Sequence, residues 1–409
     1  MIHGDFRGNI VSGNLAREHV YVMRTEAEVF ADLKALCRSA GYVHVLAYLS
    51  FCDNIVRYSG QMSPKDMLPM FSRDRLIRTE ISTLIGLMIQ GDIDWTMPSA
   101  PVVQEQLDRT DSLLKELHET FLPSMSGTLA ERAKAPVTDL ELIGRGEFLR
   151  EVIFYAGESA YSFQYRDFAP QKYAADDAWL NANRGFSIFD ARTVAQSIAR
   201  LQEQKLMATV AHRATIPPEQ WSILPGYTFS VREVAAASGL AEPSVEAILN
   251  AFALAPGEKN EAFRALDDFN VANATPLLRF NAEFVLLQSY SLVEAIYESP
   301  FYWMVADKPY ASTASQNRGR FTETYCRERL ELVFGKARVH TNVDIFESKA
   351  RKVGEIDVLV CFGDRVLIVQ AKSKRLTLES RKGNDGQIRD DFKKSVQDSY
   401  DQGLTCAQR

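Results

Sequence analysis

The sequence predicts an α+β protein in which a mostly α-helical N-terminal domain precedes an α/β core of one helix, a three-strand meander and a second helix. Apolar residues recur at helical spacing through about the first 295 residues, and from about Gly319 the pattern changes to a helix followed by short β-type runs. The 409 residues are 46% hydrophobic and 24% charged, which is ordinary for a globular chain and excludes a disordered or low-complexity one.

The N-terminal part contains several segments with helical periodicity. Ser63-Pro64 offers an N-cap followed by proline in the first helical turn. Prolines and glycines near Pro217-Pro218 and Pro225-Gly226 indicate a boundary after these helices. The helical segments predicted from spacing are 63–76, 101–121, 146–162 and 190–207.

Three units follow from this pattern. Residues 1–225 form a helical domain of unknown role, residues 226–318 a helical region with a candidate helix-turn-helix, and residues 319–409 the α/β domain. The last helix still has its amphipathic pattern at Arg409. The α/β domain is therefore expected either to be completed by earlier segments or to continue beyond that residue.

The candidate helix-turn-helix spans residues 231–250. Ser230 and Glu233 are spaced as a capping box at its first helix. The second helix of such a unit reads the major groove of DNA, but its exposed side is expected to carry Glu246 and Asn250 and no lysine or arginine. A structural helical hairpin is therefore favoured over a DNA reader.

The α/β domain has strong strand and turn signals. Gly363-Asp364 is typical of a tight hairpin turn between two runs rich in valine, leucine and isoleucine. The predicted elements are a helix at 319–334, strands at 339–346, 354–362 and 365–373, a basic loop at 374–386 and a helix from Ile388 onward.

Polar side chains interrupt the apolar strands of this hairpin. Alternation along the strand puts Glu355 and Asp357 on one face, and Gln370 and Lys372 share a face of the next strand. A carboxylate in an apolar strand is costly unless it is paired or bound to a cation. A cross-strand ion pair between Asp357 and Lys372 is the simple structural explanation, and a functional site is the other.

This pattern resembles the PD-(D/E)XK, or restriction-endonuclease-like, nuclease superfamily, in particular variants with glutamine in the third position such as Mrr-type and nuclease-related domains. Asp357 matches the metal-binding aspartate, and Gln370 and Lys372 follow it after twelve intervening residues as the QxK motif. Glu323 matches the acid of the first helix. The resemblance is confined to residues 319–409.

The resemblance implies a metal-dependent phosphodiesterase that uses Mg²⁺ or Mn²⁺. Asp357 is then the main ligand, Glu323 assists directly or through water, and Gln370 and the backbone carbonyl of Ala371 supply neutral oxygens. Lys372 orients the attacking water and stabilises charge on the phosphorane. DNA is favoured over RNA as the substrate, with a role in defence or DNA repair expected by analogy alone.

Further residues extend this assignment. Gln397 and Tyr400 are similar to a glutamine-tyrosine signature on the following helix of RecB-like members, and Glu355 is interpreted as a supporting carboxylate. Glu328 lies one helical turn beyond Glu323 and could take its place. Positive charge concentrates beside the motif, as expected for a phosphate-binding surface; the candidate nucleic-acid-binding residues are Lys374, Arg375, Arg381, Lys382, Arg389 and Lys393.

Charge and cysteine content limit the alternatives. The net charge of −6 requires any nucleic-acid site to be a local basic patch. Five scattered cysteines without CxxC spacing, and no apolar span or leader pattern, predict a cytoplasmic protein with no membrane association. A catalytically inactive nucleic-acid-binding or assembly module and a helix-turn-helix regulator remain as alternatives, and the helical domain is available for a protein partner or for self-association.

Overall fold

The computed structural model describes residues 24–54, 61, 63–67, 76–120, 160–374 and 376–409. The protein is α+β, with helices along most of the described chain and two small three-stranded antiparallel sheets. The predicted helix at 146–162 lies largely outside the described residues, as do most of the segment 63–76 and Arg375.

The first described helices pack on one another through their apolar faces. Thr25 caps the first of them, since its hydroxyl accepts a hydrogen bond from the Glu28 amide and the Glu28 carboxylate accepts one from the Thr25 amide. The helix predicted at 101–121 is confirmed as α5. The bounds are α1 Glu26–Cys37, α2 Tyr42–Asn54, α3 Pro64–Met67, α4 Arg78–Met88 and α5 Ala100–Thr120.

A second group of helices surrounds the first sheet. The helix predicted at 190–207 is confirmed within α8, which begins at the capping residue Ser187. The sheet has the order β1-β3-β2, and Phe229 pairs with Phe284. The bounds are α6 Ser162–Tyr173, α7 Asp177–Arg184, α8 Ile188–His212, β1 Thr228–Ser230, α9 Val231–Ser238, α10 Glu242–Ala251, β2 Leu278–Phe280, β3 Glu283–Val285 and α11 Ser289–Ala306.

Helices α9 and α10 form the expected helical hairpin. The capping box between Ser230 and Glu233 is present, and Gly239 ends α9 with a φ of 73°, a left-handed conformation that glycine adopts without strain. On α10, Val245 is buried, whereas Glu246 and Asn250 are exposed. The exposed side of α10 therefore carries no positive charge that would favour DNA.

Two large apolar clusters stabilise the helical region. The first cluster packs the helices of residues 26–120 against residues 223–287. The second packs the helices α6, α7 and α8 against residues 229–314. Both clusters draw residues from either side of position 225. No helix in the described part of the chain is long and apolar enough to cross a membrane.

The C-terminal unit consists of a long helix, a meander and a helical end. Its sheet has the order β4-β5-β6 and is antiparallel throughout, as predicted for a three-strand meander. Gly363 forms the β5–β6 turn with a φ of 63°. The bounds are α12 Ala311–Phe334, β4 Val339–Ser348, β5 Arg351–Phe362, β6 Arg365–Val369, α13 Leu378–Arg381, α14 Asp385–Phe392, a π turn Lys393–Gln397 and α15 Asp398–Ala407.

Several predicted boundaries in this unit were wrong. Strand β4 ends two residues later than predicted, β5 begins three residues earlier, and α13 and the start of α14 lie within the predicted loop at 374–386. Helix α12 begins at Ala311 rather than Gly319, because the turn at Asp307 already starts the helix and Gly319 continues it. Strand β6 ends at Val369 rather than Ser373. The next residues leave the strand ladder because Gln370 and Ala371 make hydrogen bonds to Glu355 and Asp357 of β5 that are not ladder bonds. The candidate site lies where the two strands separate.

Candidate active site

Strands β5 and β6 separate beyond the pair Val358–Val369. In the notch that opens there, the carbonyl oxygen of Glu355 has no strand partner on the β6 side. It accepts hydrogen bonds from Gln370 Nε2 at 2.8 Å and from Gln402 Nε2 at 3.2 Å, and Cys406 Sγ lies 3.8 Å away. Side chains thus replace the missing ladder and hold polar groups in a fixed arrangement.

Asp357 lies half-buried in this notch. Its Oδ2 accepts a hydrogen bond from the Ala371 amide at 2.8 Å, which fixes the carboxylate against the end of β6. No hydrogen bond to Oδ1 is found among the described residues. Ala371 therefore contacts Asp357 through its N–H group and not through the carbonyl that was predicted to bind a metal.

Glu323 on α12 is electrostatically coupled to Asp357. Burial raises the pKa of Glu323, the negative charges of Asp357 and Glu355 raise it further, and the positive charges of Lys372 and Arg320 oppose the rise. The predicted group of Glu323, Asp357 and Lys372 is thus brought into mutual electrostatic range.

The thiol of Cys326, also on α12, is affected by the same negative charges. Burial raises the pKa of Cys326, and the charges of Asp357 and Glu323 add to this effect. The carboxylates of Asp357 and Glu323 thus lie near enough to this thiol for both charges to act on it. A divalent cation would relieve their mutual repulsion.

Gln370 presents an unsatisfied oxygen at the same place. Its Nε2 is bonded to Glu355, but its buried Oε1 has no hydrogen-bond partner in the described part of the chain. An unpaired buried carbonyl costs about 1–3 kcal/mol. Such a group indicates a site that is completed by water or by an ion.

Lys372 is exposed at the rim of the notch. Its Nζ lies 3.4 Å from Gln402 Oε1, and Gln402 in turn donates to Glu355. Sequence reasoning missed Gln402. Its signal was the spacing of Ser395, Ser399, Gln402 and Cys406, which places a single amide among small side chains on the helix face toward the sheet.

Of the predicted supporting residues, Gln397 and Tyr400 lie away from the notch, whereas the Glu355 carboxylate is near it but paired with a lysine. Gln397 donates to Asp401 at 2.8 Å on the outer side of the helix, and the side chain of Tyr400 is 61% exposed. The Glu355 carboxylate binds Lys352 at 2.7 Å, and Glu328 is 3.6 Å from Arg327. Helix α15 therefore contacts the notch through Gln402 and Cys406, and Gln397 and Tyr400 make no recorded contact with it.

The basic residues divide into two groups. Lys374 is paired with the buried Asp391 at 2.8 Å, and Lys382 with Asp268 of the helical region at 3.0 Å. These two lysines hold the loop in place. Within the described chain, three exposed cations of the predicted set have no ion-pair partner, namely Arg381, Arg389 and Lys393.

Asp391 is the centre of this loop. Burial alone would raise its pKa, but hydrogen bonds from Lys374, Ser380 and Thr377 outweigh burial and hold the pKa far below its usual range. Its Oδ2 accepts from the Thr377 amide at 2.6 Å and from its hydroxyl at 2.8 Å. The ionised carboxylate therefore organises residues 374–391.

The donors at the notch are oxygen atoms of carboxylate and amide groups. Carboxylate, amide and water oxygens are the ligands that Mg²⁺ prefers, and it commonly keeps several waters. Within the described residues, no group of three histidines, cysteines, aspartates or glutamates is placed to hold a metal. A metal here would therefore depend on Asp357, Glu323, the Gln370 oxygen and water.

Comparisons of this chain with protein-family models, with curated proteins and with solved structures found no match.

Proposed function

We propose that the chain is a metal-dependent nuclease whose C-terminal unit has a restriction-endonuclease-like core. The observation that carries the proposal is the notch between β5 and β6, where two carboxylates, a buried amide oxygen without a partner and an exposed lysine converge. A simple Asp357–Lys372 ion pair does not account for the site. Lys372 is bonded to Gln402 instead, and such a pair would leave the unpartnered Gln370 oxygen unexplained.

The residues of the notch have complementary roles in this proposal. Mg²⁺ or Mn²⁺ bound by Asp357, Glu323 and the Gln370 oxygen would polarise a phosphoryl oxygen and lower the pKa of an attacking water. The Ala371 amide keeps Asp357 oriented. Lys372, positioned by Gln402, orients the water and stabilises negative charge that develops on the phosphorane.

Nucleic acid is the proposed substrate, with DNA favoured over RNA. Arg381, Arg389 and Lys393 are exposed on the segment that follows the notch and are available for phosphate contacts. A chain with a net charge of −6 would bind nucleic acid through such a local patch, so binding is expected to weaken steeply with salt. The exposed side of α10 offers no such cations, which disfavours the helix-turn-helix regulator.

The test is cleavage of linear, circular and single-stranded DNA and of RNA with Mg²⁺, Mn²⁺ or EDTA. We expect Asp357→Asn and Lys372→Ala to lower the cleavage rate by about 100-fold or more, because each removes a group that acts on the transition state. Asp364→Asn and Lys349→Ala are matched controls at the exposed hairpin turns and should leave the rate unchanged.

Two outcomes would contradict the proposal. Cleavage that persists in both notch variants would place the activity elsewhere. Salt-sensitive nucleic-acid binding without cleavage under any metal condition would favour the catalytically inactive binding module.

A further inference from the structure

A cleft of about 470 Å³ lies between α6 and α12. This volume lies within the range typical of small-molecule sites. Its described walls come from the end of α6 and from the face of α12 that is turned away from the meander. The lining residues used below are Gln171, Arg320, Phe321, Tyr325, Glu328 and Arg329.

Positive charge dominates this cleft. The exposed guanidinium groups of Arg320 and Arg329 have no carboxylate partner among the described residues. Glu328, the acidic side chain among the described lining residues, lies 3.6 Å from Arg327, which also pairs with Glu331 at 3.5 Å. Two guanidinium groups that share a cleft and lack a protein anion are suited to phosphate, which they can bind through paired hydrogen bonds.

Aromatic rings form another part of the wall. The Tyr325 ring lies 5.0 Å from Phe168 and 6.2 Å from Phe321, measured between ring centroids. The Arg329 guanidinium lies 5.3 Å from the Tyr325 centroid. Rings and guanidinium planes offer stacking surfaces for a nucleobase, and Gln171 adds an exposed amide at the rim.

Helix α12 separates this cleft from the candidate active site. Cys326 and Leu330 pack against the buried valines of the meander, whereas Arg320 and Tyr325 line the cleft. Arg320 nevertheless lies one helical turn from Glu323, near enough for its positive charge to act on that carboxylate. An anion bound to Arg320 would weaken that effect.

We propose that the cleft binds a nucleoside phosphate, with the phosphate held by Arg320 and Arg329 and the base against Tyr325. The ligand is either a free nucleotide or one nucleotide of a nucleic-acid strand that reaches the notch; the second form rests on the proposed nuclease function. Both sources present the same chemistry to the cleft, and the test separates them.

The experiment measures binding to the full-length chain in EDTA, so that no cleavage occurs. One arm titrates ATP and deoxyadenosine monophosphate by calorimetry, with inorganic phosphate as the probe for the anion alone. The other arm follows a fluorescein-labelled single-stranded DNA oligonucleotide by anisotropy. The variants are Arg320→Ala, Arg329→Ala and Tyr325→Leu, with Arg365→Ala as the matched control because its side chain is 89% exposed at the hairpin turn.

We expect each arginine variant to weaken binding by about tenfold in one of the two arms, since each removes a charge-assisted contact. Tyr325→Leu should weaken nucleotide binding and leave phosphate binding unchanged, and Arg365→Ala should behave as the parent chain. A loss in the calorimetric arm identifies a free nucleotide, and a loss in the oligonucleotide arm alone identifies a strand nucleotide.

Unchanged affinity in both arms for arginine variants that keep the parental thermal unfolding midpoint would overturn this inference, as would the absence of binding by the parent chain. These results are distinct from failure of the nuclease proposal. A chain that cleaves DNA but is insensitive to both arginine variants refutes the cleft alone, whereas a chain that binds ATP and never cleaves refutes the nuclease alone.

Discussion

The helical region and the C-terminal unit are built on very different amounts of apolar core. In the helical region, two clusters each bury more than twenty described side chains. In the C-terminal unit, the described cluster has three fully buried members, Val339, Val358 and Val360, and its neighbours Leu330 and Phe334 are only partly buried. The candidate chemistry lies entirely in the unit with the smaller core.

This difference indicates how the candidate site is assembled. In the helical region, buried polar side chains such as Gln202 bond to the backbone of a neighbouring element inside a large apolar core. Around the notch, the Glu355 carbonyl depends on the side chains of Gln370 and Gln402, and Asp357 depends on one amide. Side-chain hydrogen bonds thus define the site where backbone pairing ends, and they leave the Gln370 oxygen unsatisfied.

The sharpest test of the comparison is truncation of each core. Phe252 is fully buried against Phe186 and Trp303. Phe252→Ala should lower the free energy of unfolding by about 3–5 kcal/mol. Val358→Ala should cost less, because partly buried neighbours can relax into the space. Urea unfolding monitored by circular dichroism measures both. An equal or larger loss for Val358→Ala would contradict the comparison.

The next effect concerns Asp391, which is the most strongly held charge of the C-terminal unit. Asp391→Ala should cost about 3 kcal/mol, because it leaves Lys374 and the groups of the loop without their buried partner. Asp390→Ala is the matched control; it removes an exposed pair with Lys394 and should cost about 0.5 kcal/mol or less. Hydrogen exchange of residues 376–391 locates the loss.

The same carboxylate predicts a pH dependence with a definite sign. The pKa of Asp391 is lower in the folded protein than its usual value of 3.8, so its stabilisation is fully present above that value. It is lost as the pH falls below 3.8 toward the folded pKa. In Asp391→Ala this acid-induced loss should be smaller than in the parent chain. An identical acid profile for the two proteins would show that Asp391 does not organise the loop.

The sequence was sufficient for the meander and its turn because both depend on local patterns. Alternating apolar residues and Gly363-Asp364 predict β5 and β6, and helical spacing from residue 190 predicts the start of α8 within two residues. The end of β6 was not predictable in this way. No glycine or proline directly follows Val369 to mark the end of the strand, and the next residues leave the ladder because Glu355 and Asp357 bind them across the sheet.

The same limit applies to the site. Asp357, Gln370, Lys372 and Glu323 were predicted from spacing and resemblance; the first three make contacts at the end of β6, and their assignment to a metal site stays a prediction. Gln402 was not found, since its role depends on a helix that packs on β5 from thirty residues beyond Lys372. Lys374 appeared to be a phosphate contact but binds a buried carboxylate, because formal charge alone does not reveal its partner.

A smaller effect is expected from adding charge at the unsatisfied oxygen. Gln370→Glu should tighten Mn²⁺ binding by about tenfold at pH 8, because a third carboxylate adds a charged ligand. Gln408→Glu adds the same charge at an exposed position near the C-terminus and should leave affinity unchanged. Calorimetric titration with Mn²⁺ measures both. Affinity that is unchanged in a Gln370→Glu variant with the parental unfolding midpoint would mean that this side chain does not face the metal.

The smallest predicted effect reverses the usual sign for a mutation. The pKa of Glu323 is raised above its usual value of 4.5, so ionising it opposes folding; this penalty is absent below that pH and is complete above the folded pKa. Glu323→Gln should therefore stabilise the metal-free protein at pH 8 by about 0.5 kcal/mol or less, since solvent screens a partly exposed group. At pH 4 the gain should disappear.

The control is Glu379→Gln, which changes an exposed glutamate on α13. A stability gain that is the same at both pH values would mean that charge repulsion at the notch is not its cause. A loss of stability at pH 8 would mean that Glu323 stabilises the C-terminal unit and does not serve as a metal ligand.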